Sequence, residues 1–242
     1  MLLAVDAGNT RIKWGLHDGS AWVAQGAVAT RAGELFEAQL DERCRAWPDV
    51  ARVVGCNVAG TEVGETIAAV LAPRFPPPLW LRASAEACGV RNGYEQPERL
   101  GADRWAALIG ARARFSSACL VVCAGTATTV DWLDASGLFR GGLILPGFDL
   151  MRASLARNTA QLPLADGQFR PEPRTTVDAI ASGCLHAQIG AIERMYEGLA
   201  GEPGAICLLT GGAAQRIAPL LRIPFEVADN LILDGLLRSD RT

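Results

Sequence analysis

The amino-acid sequence predicts an α/β protein made of two similar halves, and three observations lead to this fold class. Half of the 242 residues are hydrophobic and 20% are charged, which is the composition of an ordinary globular protein. A short pattern of strand and polar turn occurs twice, at residues 2–10 and 120–126, and the equivalent positions Asp6 and Cys123 are 117 residues apart. After each copy, segments with helical and strand-like periodicity alternate along the chain.

Each copy of the pattern continues as a meander of strands. A mostly hydrophobic strand ends in Ala-Gly and an amide or hydroxyl residue, and two more strands follow around a turn rich in Asp, Gly and Ser. The match in order, length and turn chemistry favours a duplication over a chance likeness of two hairpins. The second strands are predicted at 11–16 and 128–133, the turns at 18–20 and 134–137, and the third strands at 22–29 and 139–145.

Helices and strands alternate after both meanders. Leu35, Leu40 and Cys44 recur at helical spacing, and Pro73 ends the next helix. We predict two domains, 1–115 and 116–242, with the ligand site in the cleft between them. The predicted helices are 34–47, 61–71, 103–114, 177–200, 213–221 and 230–237, and the predicted strands among them are 50–58, 79–81, 205–209 and 225–227.

The charge and the cysteine content exclude several functional classes. With 23 Lys and Arg against 26 Asp and Glu, the formal net charge of −3 leaves no basic surface for nucleic acid or anionic lipid. The apolar runs are far shorter than the ~18 residues of a membrane span, so we expect a cytoplasmic protein. Seven cysteines without a CxxC pair and only two histidines predict neither a disulfide framework nor a structural zinc site.

The loop at residues 6–10 has the chemistry of a phosphate-binding turn. Gly8 permits close backbone approach, the amides of residues 8–10 can form an anion cradle, and Asp6 offers a hard oxygen ligand for Mg²⁺. A hairpin turn without a ligand would also contain Asn and Gly. The loop at 123–129, with the amides of residues 125 and 126, repeats the device, and this favours nucleotide binding.

A third glycine loop, at residues 209–214, ends a strand and opens a helix. Its glycines could lie flat against a purine or ribose, or form only a tight turn. The chain has no GxxxxGK[ST] motif, so any ATP is held without a P-loop.

Asp103 and Arg104 follow a loop and open a predicted helix, and two interpretations of them stay open. An Asp near a helix start is commonly an N-cap. An adjacent Asp-Arg pair beside a cleft could also supply a base for a hydroxyl group and a cation for the charge that develops on a phosphate.

Four motifs in register resemble one known family. They are Asp-Ala-Gly-Asn-Thr at 6–10, Gly-Ala-Asp-Arg at 101–104, Gly-Thr-Ala-Thr-Thr-Val-Asp at 125–131 with Gly-Gly-Leu-Ile-Leu-Pro-Gly at 141–147, and Asp-Asn-Leu-Ile-Leu-Asp-Gly-Leu at 229–236. In this order and spacing they resemble the type III pantothenate kinases of bacteria, from residue 3 to residue 237. The resemblance implies two duplicated ribonuclease-H-like (actin-like ATPase) domains, a homodimer, and phosphorylation of pantothenate by ATP, the first committed step toward coenzyme A.

The resemblance also implies roles for individual residues. Asp103 becomes the proton acceptor for the pantothenate hydroxyl and Asp6 a Mg²⁺ ligand, while Thr176 contacts substrate with Thr175 as the rival for that register. Residues 171–174 would form a mobile loop near the site. The implied ATP-binding residues are Asp6, Ala7, Gly8, Asn9, Thr10, Arg11, Ile12, Lys13 and Thr126, and the implied substrate-binding residues are Tyr94, Gly101, Ala102, Asp103, Arg104 and Thr176.

Position 123 departs from the family's pattern. Members of the family need a monovalent cation, potassium or ammonium, which is bound partly by an Asp immediately before the Ala-Gly-Thr of the second loop. This chain has Cys123 there. A neutral thiol is a poor ligand for a hard cation, so we expect the dependence on potassium or ammonium to be weakened or absent.

Two other functions stay open at the level of sequence. Some proteins that resemble this family were first described as accessory factors for virulence gene expression, so a regulator without catalytic activity is one alternative. It predicts the loss of acidic residues at the metal and base positions, yet Asp6 and Asp103 are present. The other alternative is a kinase for a different small alcohol, or a nucleotide phosphatase, on the same fold.

Overall fold

The computed structural model describes residues 1–30 and 35–240, and the side chains of residues 35 and 36 stay outside this description. The chain forms two compact units. The first contains Met1–Arg114 and the segment that begins at Asn230, and the second contains Phe115–Asp229. No helix in the described part of the chain is long and apolar enough to cross a membrane.

The first unit is built on a mixed five-stranded sheet. Its strands are β1 (Leu2–Ala7), β2 (Arg11–His17), β3 (Trp22–Ala29), β4 (Arg52–Asn57) and β5 (Leu79–Trp80). Their order is β3-β2-β1-β4-β5, and β1 pairs antiparallel with β2 and parallel with β4. Every residue of β1 is buried because hydrophobic side chains pack on both faces of this central strand.

One face of this sheet packs against two helices. They are α1 (Leu35–Arg45) and α2 (Thr61–Leu71), and their buried residues join Leu3 and Val5 of β1 in one hydrophobic cluster. Successive side chains of a strand point to opposite faces, so Leu2 and Ala4 enter a separate cluster on the other side.

A short irregular segment leads to the helix on the second face. It contains a small antiparallel hairpin of β6 (Glu86–Ala87) and β7 (Val90–Asn92), then a 3₁₀ turn at Pro97–Arg99. The helix is α3 (Ala102–Arg114), whose Ala106 packs in the same cluster as Leu2.

The central strands of the second unit are β8 (Cys119–Ala124), β9 (Ala127–Leu133) and β10 (Leu138–Pro146). Helices α4 (Phe148–Asn158) and α5 (Thr176–Tyr196) follow, then β11 (Ile206–Thr210), the short α6 (Ala214–Ile217) and β12 (Phe225–Val227). A 3₁₀ turn at Ala218–Leu220 extends α6.

The two units repeat one topology. In the second, the strand order is β12-β11-β8-β9-β10, with β8 antiparallel to β9 and parallel to β11. In the first, β1 has the same relation to β2 and β4. A meander whose first strand then pairs in parallel with a strand from a helical crossover therefore occurs twice, which confirms the predicted duplicated α/β fold.

The last helix, α7 (Leu231–Ser239), belongs to the first unit, where it packs on α3. The two helices approach so closely that a Cβ on Gly110 would lie 2.1 Å from the carbonyl oxygen of Leu231, and one on Gly235 would lie 1.8 Å from that of Ala106. Glycine is required at both crossing points because any side chain would separate the backbones.

Several details differ from the sequence expectations. A division into 1–115 and 116–242 assigns α7 to the second half, whereas its apolar face is buried on α3 of the first unit. The predicted helix 213–221 consists of α6 and a 3₁₀ turn, because Pro219 removes an amide donor. Helix α4 and the β6–β7 hairpin were not predicted at all. Residue 34, the predicted start of the first helix, lies outside the described residues.

Candidate functional site

Asp6 lies near the end of β1 with only 6% of its surface exposed. Burial raises the pKa of its carboxyl to about 6; the charge of Lys13, opposite it on β2, lowers the pKa, and the charge of Asp103 raises it further. Cys56 of β4 lies beside Asp6 in the parallel pairing of β1 with β4. Its thiol donates a hydrogen bond to Asp6 Oδ1 at 3.5 Å. Burial, with the charges of Asp6 and Asp103, holds the pKa of this thiol well above its ordinary value.

The loop after β1 is held by hydrogen bonds from three sides. The amide of Gly8 donates to the carbonyl oxygen of Arg11 at 3.1 Å, and the hydroxyl of Thr30 donates to the carbonyl oxygen of Gly8 at 2.6 Å. The side chain of Asn9 donates to the carbonyl oxygen of Val58 at 3.2 Å. The amide of Gly8 therefore closes the turn. The sequence predicts this amide as part of an anion cradle, but its hydrogen bond to Arg11 already uses it.

Asp103 lies in the first turn of α3, because the helix begins at Ala102. Its Oδ1 accepts a hydrogen bond from the amide of Arg104 at 2.8 Å. A Cβ on Gly101 would lie 2.7 Å from the same oxygen, so glycine leaves the space into which the carboxylate folds back. Asp103 is thus not the residue before the helix, as an N-cap would be, but it does satisfy one amide of the first turn.

Arg104 and Tyr94 form a pair in the first unit. The guanidinium of Arg104, which is 4% exposed, donates to the hydroxyl of Tyr94 at 2.7 Å and lies 5.5 Å from the centre of its ring. The side chain of Asn92 accepts a hydrogen bond from the amide of Tyr94 at 3.1 Å. It also donates one to the carbonyl oxygen of Pro97 at 3.0 Å. The chain from 92 to 104 therefore brings together the implied substrate-binding residues of this unit.

The loop after β8 in the second unit is built from several glycine contacts. The amide of Gly125 donates to the carbonyl oxygen of Ala127 at 3.0 Å, so this amide too is used within its turn. The Gly147 amide donates to the carbonyl oxygen of Thr126 at 2.8 Å. Gly211, at φ +102°, lies so close to Ala124 that a Cβ would be 2.4 Å from its carbonyl oxygen. The third glycine loop is therefore packed against the backbone of the second.

Cys123 is half-buried at the end of β8, opposite Thr129 of β9 and beside Thr210 of β11. Directly opposed residues share one face of a sheet. The hydroxyl of Thr129 is buried and has no hydrogen-bond partner among the described residues. Position 123 supplies a neutral thiol, a poor ligand for a hard cation, in place of the carboxylate of the family's pattern.

The start of α5 distinguishes two neighbouring threonines. Thr175 is the N-cap, and its hydroxyl accepts a hydrogen bond from the amide of Asp178 at 3.2 Å. Thr176 is the first helical residue and is exposed. Further upstream, the amide of Arg170 donates to the hydroxyl of Ser182 at 2.9 Å, so this stretch lies along α5. The capping role of Thr175 favours Thr176 as the residue available for substrate.

Sequence reasoning did not assign Cys56 to the site, and it gave Gly147 a place in a motif without its backbone contact with Thr126. Their parallel register or close backbone approach depends on pairing between distant segments. The only sequence signal for Cys56 was its place in a predicted buried strand. Among the described residues, no three His, Cys, Asp or Glu side chains cluster as a ready metal site.

Solved structures of other proteins have a fold similar to that of this chain. A putative 2-dehydro-3-deoxygalactonokinase from Sinorhizobium meliloti superposes with a TM-score of 0.62 at 17% identity, covering 100% of this chain and 98% of its own. A putative Baf family transcriptional activator from Campylobacter jejuni superposes with a TM-score of 0.60 at 19% identity, covering 99% and 97%. At such identities these structures show the fold alone.

The family follows from sequence. The family model for type III pantothenate kinase matches residues 2–198. The chain is 58% identical to the type III pantothenate kinase of Aromatoleum aromaticum, over 98% of this chain and 96% of that one. It is 51% identical to that of Azoarcus sp., over 98% and 89%. The chain belongs to the type III pantothenate kinase family.

Proposed function

We propose that this protein transfers the terminal phosphoryl group of ATP to the hydroxyl group of pantothenate, which forms 4'-phosphopantothenate and begins coenzyme A synthesis. Membership of the family supports the substrate. The observation that carries the chemistry is the pair of carboxylates in the first unit, Asp6 and Asp103, which are close enough for the charge of Asp103 to raise the pKa of Asp6.

The acidic groups suit a divalent cation. A carboxylate whose pKa is raised by burial gains from a neighbouring positive charge, and Mg²⁺ commonly uses one or two protein carboxylates with substrate phosphates and water. We assign Asp6 to the magnesium of MgATP, where the ion would neutralise charge on the phosphates. Residues 6–13 and Thr126 hold the nucleotide, and the amides of Gly8 and Gly125 shape their loops.

Asp103 accepts the proton of the attacking hydroxyl group. Because Oδ1 of Asp103 accepts a hydrogen bond from the amide of Arg104, we assign Oδ2 as the atom that takes the hydroxyl proton. Proton removal leaves the substrate oxygen free to form the new bond to phosphorus. Phosphoryl transfer depends mainly on positioning and charge neutralisation, so the base needs only to be well placed, while the magnesium and Arg104 would neutralise the charge.

The pantothenate contacts come from Tyr94, residues 101–104 and Thr176. The hydrogen bond between Arg104 and Tyr94 holds both side chains in place, and the buried guanidinium supplies a positive charge for the carboxylate of pantothenate or for the transition state. Of the two threonines, Thr176 is preferred because Thr175 caps α5.

Family resemblance supports a homodimer. The net charge of −3 and the short apolar runs favour a protein that works in the cytoplasm, with neither nucleic acid nor membrane as a partner. Its dependence on potassium or ammonium is weak or absent, since Cys123 replaces the acidic ligand.

An ATP-consumption assay tests the proposed function against its rivals. We expect magnesium-dependent ADP formation with pantothenate and none with a panel of sugars or without an acceptor. Turnover with a sugar only would indicate another small-alcohol kinase, and turnover without an acceptor a phosphatase. A folded protein that is inactive with every acceptor would favour the regulator.

A further inference from the structure

Cys56 contacts the carboxylate to which we assign the metal. It lies on β4, directly beside Asp6 of β1 in the parallel register, and none of its surface is exposed. Its Sγ is 3.5 Å from Asp6 Oδ1 and donates a hydrogen bond to that oxygen. A thiol is a weak donor, but this thiol is buried against a carboxylate, and a hydrogen bond is electrostatically stronger in the protein interior than in water.

The same end of β4 also holds the backbone of the nucleotide loop. The amide of Val58 donates to the carbonyl oxygen of Ala7 at 3.0 Å, and the carbonyl of Val58 accepts the side chain of Asn9 at 3.2 Å. Cys56 and Val58 thus contact three positions of the loop, at Asp6, Ala7 and Asn9. Cys56 is the one that reaches a carboxylate rather than the backbone or an amide.

The two oxygens of Asp6 are therefore not equivalent. A carboxylate at the end of a side chain rotates about χ2 over a broad range unless a partner holds it. The bond to Cys56 engages Oδ1 and selects one orientation of the group, so the freedom that would be lost on binding an ion is already reduced.

We propose that Cys56 is a positioning residue for metal-dependent nucleotide binding: its thiol fixes the orientation of the Asp6 carboxylate that binds the divalent cation. This inference rests on the proposed function for the assignment of Asp6 to MgATP. Cys56 itself touches neither nucleotide nor acceptor, so its removal affects binding of the metal-bound nucleotide and not of the nucleotide alone.

Titration calorimetry on the whole protein tests this without turnover. ATP is titrated with magnesium and, separately, with EDTA, into the wild type, Cys56→Ala and Cys56→Ser. Loss of the donor should weaken MgATP binding about three- to tenfold, the usual net value of one hydrogen bond, and leave metal-free ATP binding unchanged. Serine, a better donor in the same place, should keep the wild-type affinity within about twofold.

Cys44 offers a matched control, since it is a buried cysteine of the same unit that packs in the cluster on the other face of the sheet. Cys44→Ala and Cys56→Ala should both lower the melting temperature, but Cys44→Ala should leave the MgATP affinity unchanged. If Cys56→Ala does not fold, Cys56→Val, which fills the space but has no donor, replaces it and should show the same loss.

Two results would overturn the inference. One is an unchanged MgATP affinity in the folded variants without a donor, and the other is an equal loss with and without magnesium, which would make Cys56 a packing residue. The proposed function fails separately: wild-type protein that binds MgATP but does not phosphorylate pantothenate would refute it, and the calorimetric comparison would still decide the role of Cys56.

Discussion

The loop after β1 and the loop after β8 share a backbone design and differ in the side chain that the strand presents. In both, a glycine amide closes the turn onto a carbonyl oxygen of the same hairpin, from Gly8 to Arg11 at 3.1 Å and from Gly125 to Ala127 at 3.0 Å. The strand before the turn carries Asp6 in the first unit and Cys123 in the second.

This one difference changes the chemistry of each loop. Asp6 is an enclosed carboxylate with a thiol partner and a pKa raised by burial, which suits a divalent cation. Cys123 is a half-buried thiol with threonines opposite and beside it, and a neutral thiol is a poor ligand for a hard cation. The duplicated backbone is kept by glycine contacts, and single side chains make the two loops chemically different.

The largest expected effect concerns the partner carboxylate of the first unit. Asp103→Asn removes the proton acceptor but keeps an oxygen for the Arg104 amide, so the fold and ATP affinity should persist while turnover falls by roughly 10²–10⁴. Steady-state kinetics, calorimetry and circular dichroism measure the three quantities. Near-normal turnover with an intact fold would return Asp103 to a purely helix-stabilising role.

Asp6→Asn makes the first loop uncharged, like the second. We expect magnesium-dependent turnover to fall by at least the ~10–100-fold typical of lost support to a metal site. Without nucleotide, however, the variant should be more stable at pH 8, because a buried charge is removed.

The sign of this stability effect follows from the raised pKa. An acid whose pKa rises from 3.8 to about 6 on folding favours the folded state below pH 3.8, and this contribution is lost as the pH rises through 6. The gain in the free energy of unfolding for Asp6→Asn should be on the order of 2 kcal/mol at pH 8 and smaller at pH 5. Urea denaturation at both pH values measures it, and a variant less stable than wild type at pH 8 would contradict it.

Two helical glycines, one in each unit, differ in the space that surrounds them. Gly235→Ala places a methyl group against the carbonyl of Ala106, so it should lower the free energy of unfolding by about 1–3 kcal/mol. Gly190→Ala, in α5 of the second unit, meets nothing within 4 Å and should raise it by about 0.5–1 kcal/mol. Chemical denaturation measures both, and equal effects would show that the α3–α7 crossing tolerates a side chain.

The smallest effect is expected at Cys123. Wild-type activity should be nearly the same in sodium, potassium and ammonium buffers of equal ionic strength, while Cys123→Asp should gain activation by potassium or ammonium if the other ligands are in place. A strong potassium requirement of the wild type at modest concentration would show that a neutral thiol at this position is compatible with the cation.

Local sequence was sufficient for the strands of both meanders, whose hydrophobic runs and polar turns recur in the structure close to the predicted bounds. It failed for α4, because Pro146 and Gly147 indicate a loop and both leucines of this helix, Leu150 and Leu155, are exposed. It also failed for the β6–β7 hairpin, whose strands of two and three residues are too short to show periodicity.

The sequence by itself determined the α/β class and the duplication, since these depend on residue type and local periodicity, and it predicted which groups react. Only the tertiary structure decided that α7 packs on α3, that Gly8 and Gly125 use their amides to close turns, and that Cys56 lies beside Asp6. Each of these depends on contacts between segments distant along the chain. The raised pKa of Asp6 is of the same kind, because burial and a neighbouring carboxylate, not the aspartate itself, produce it.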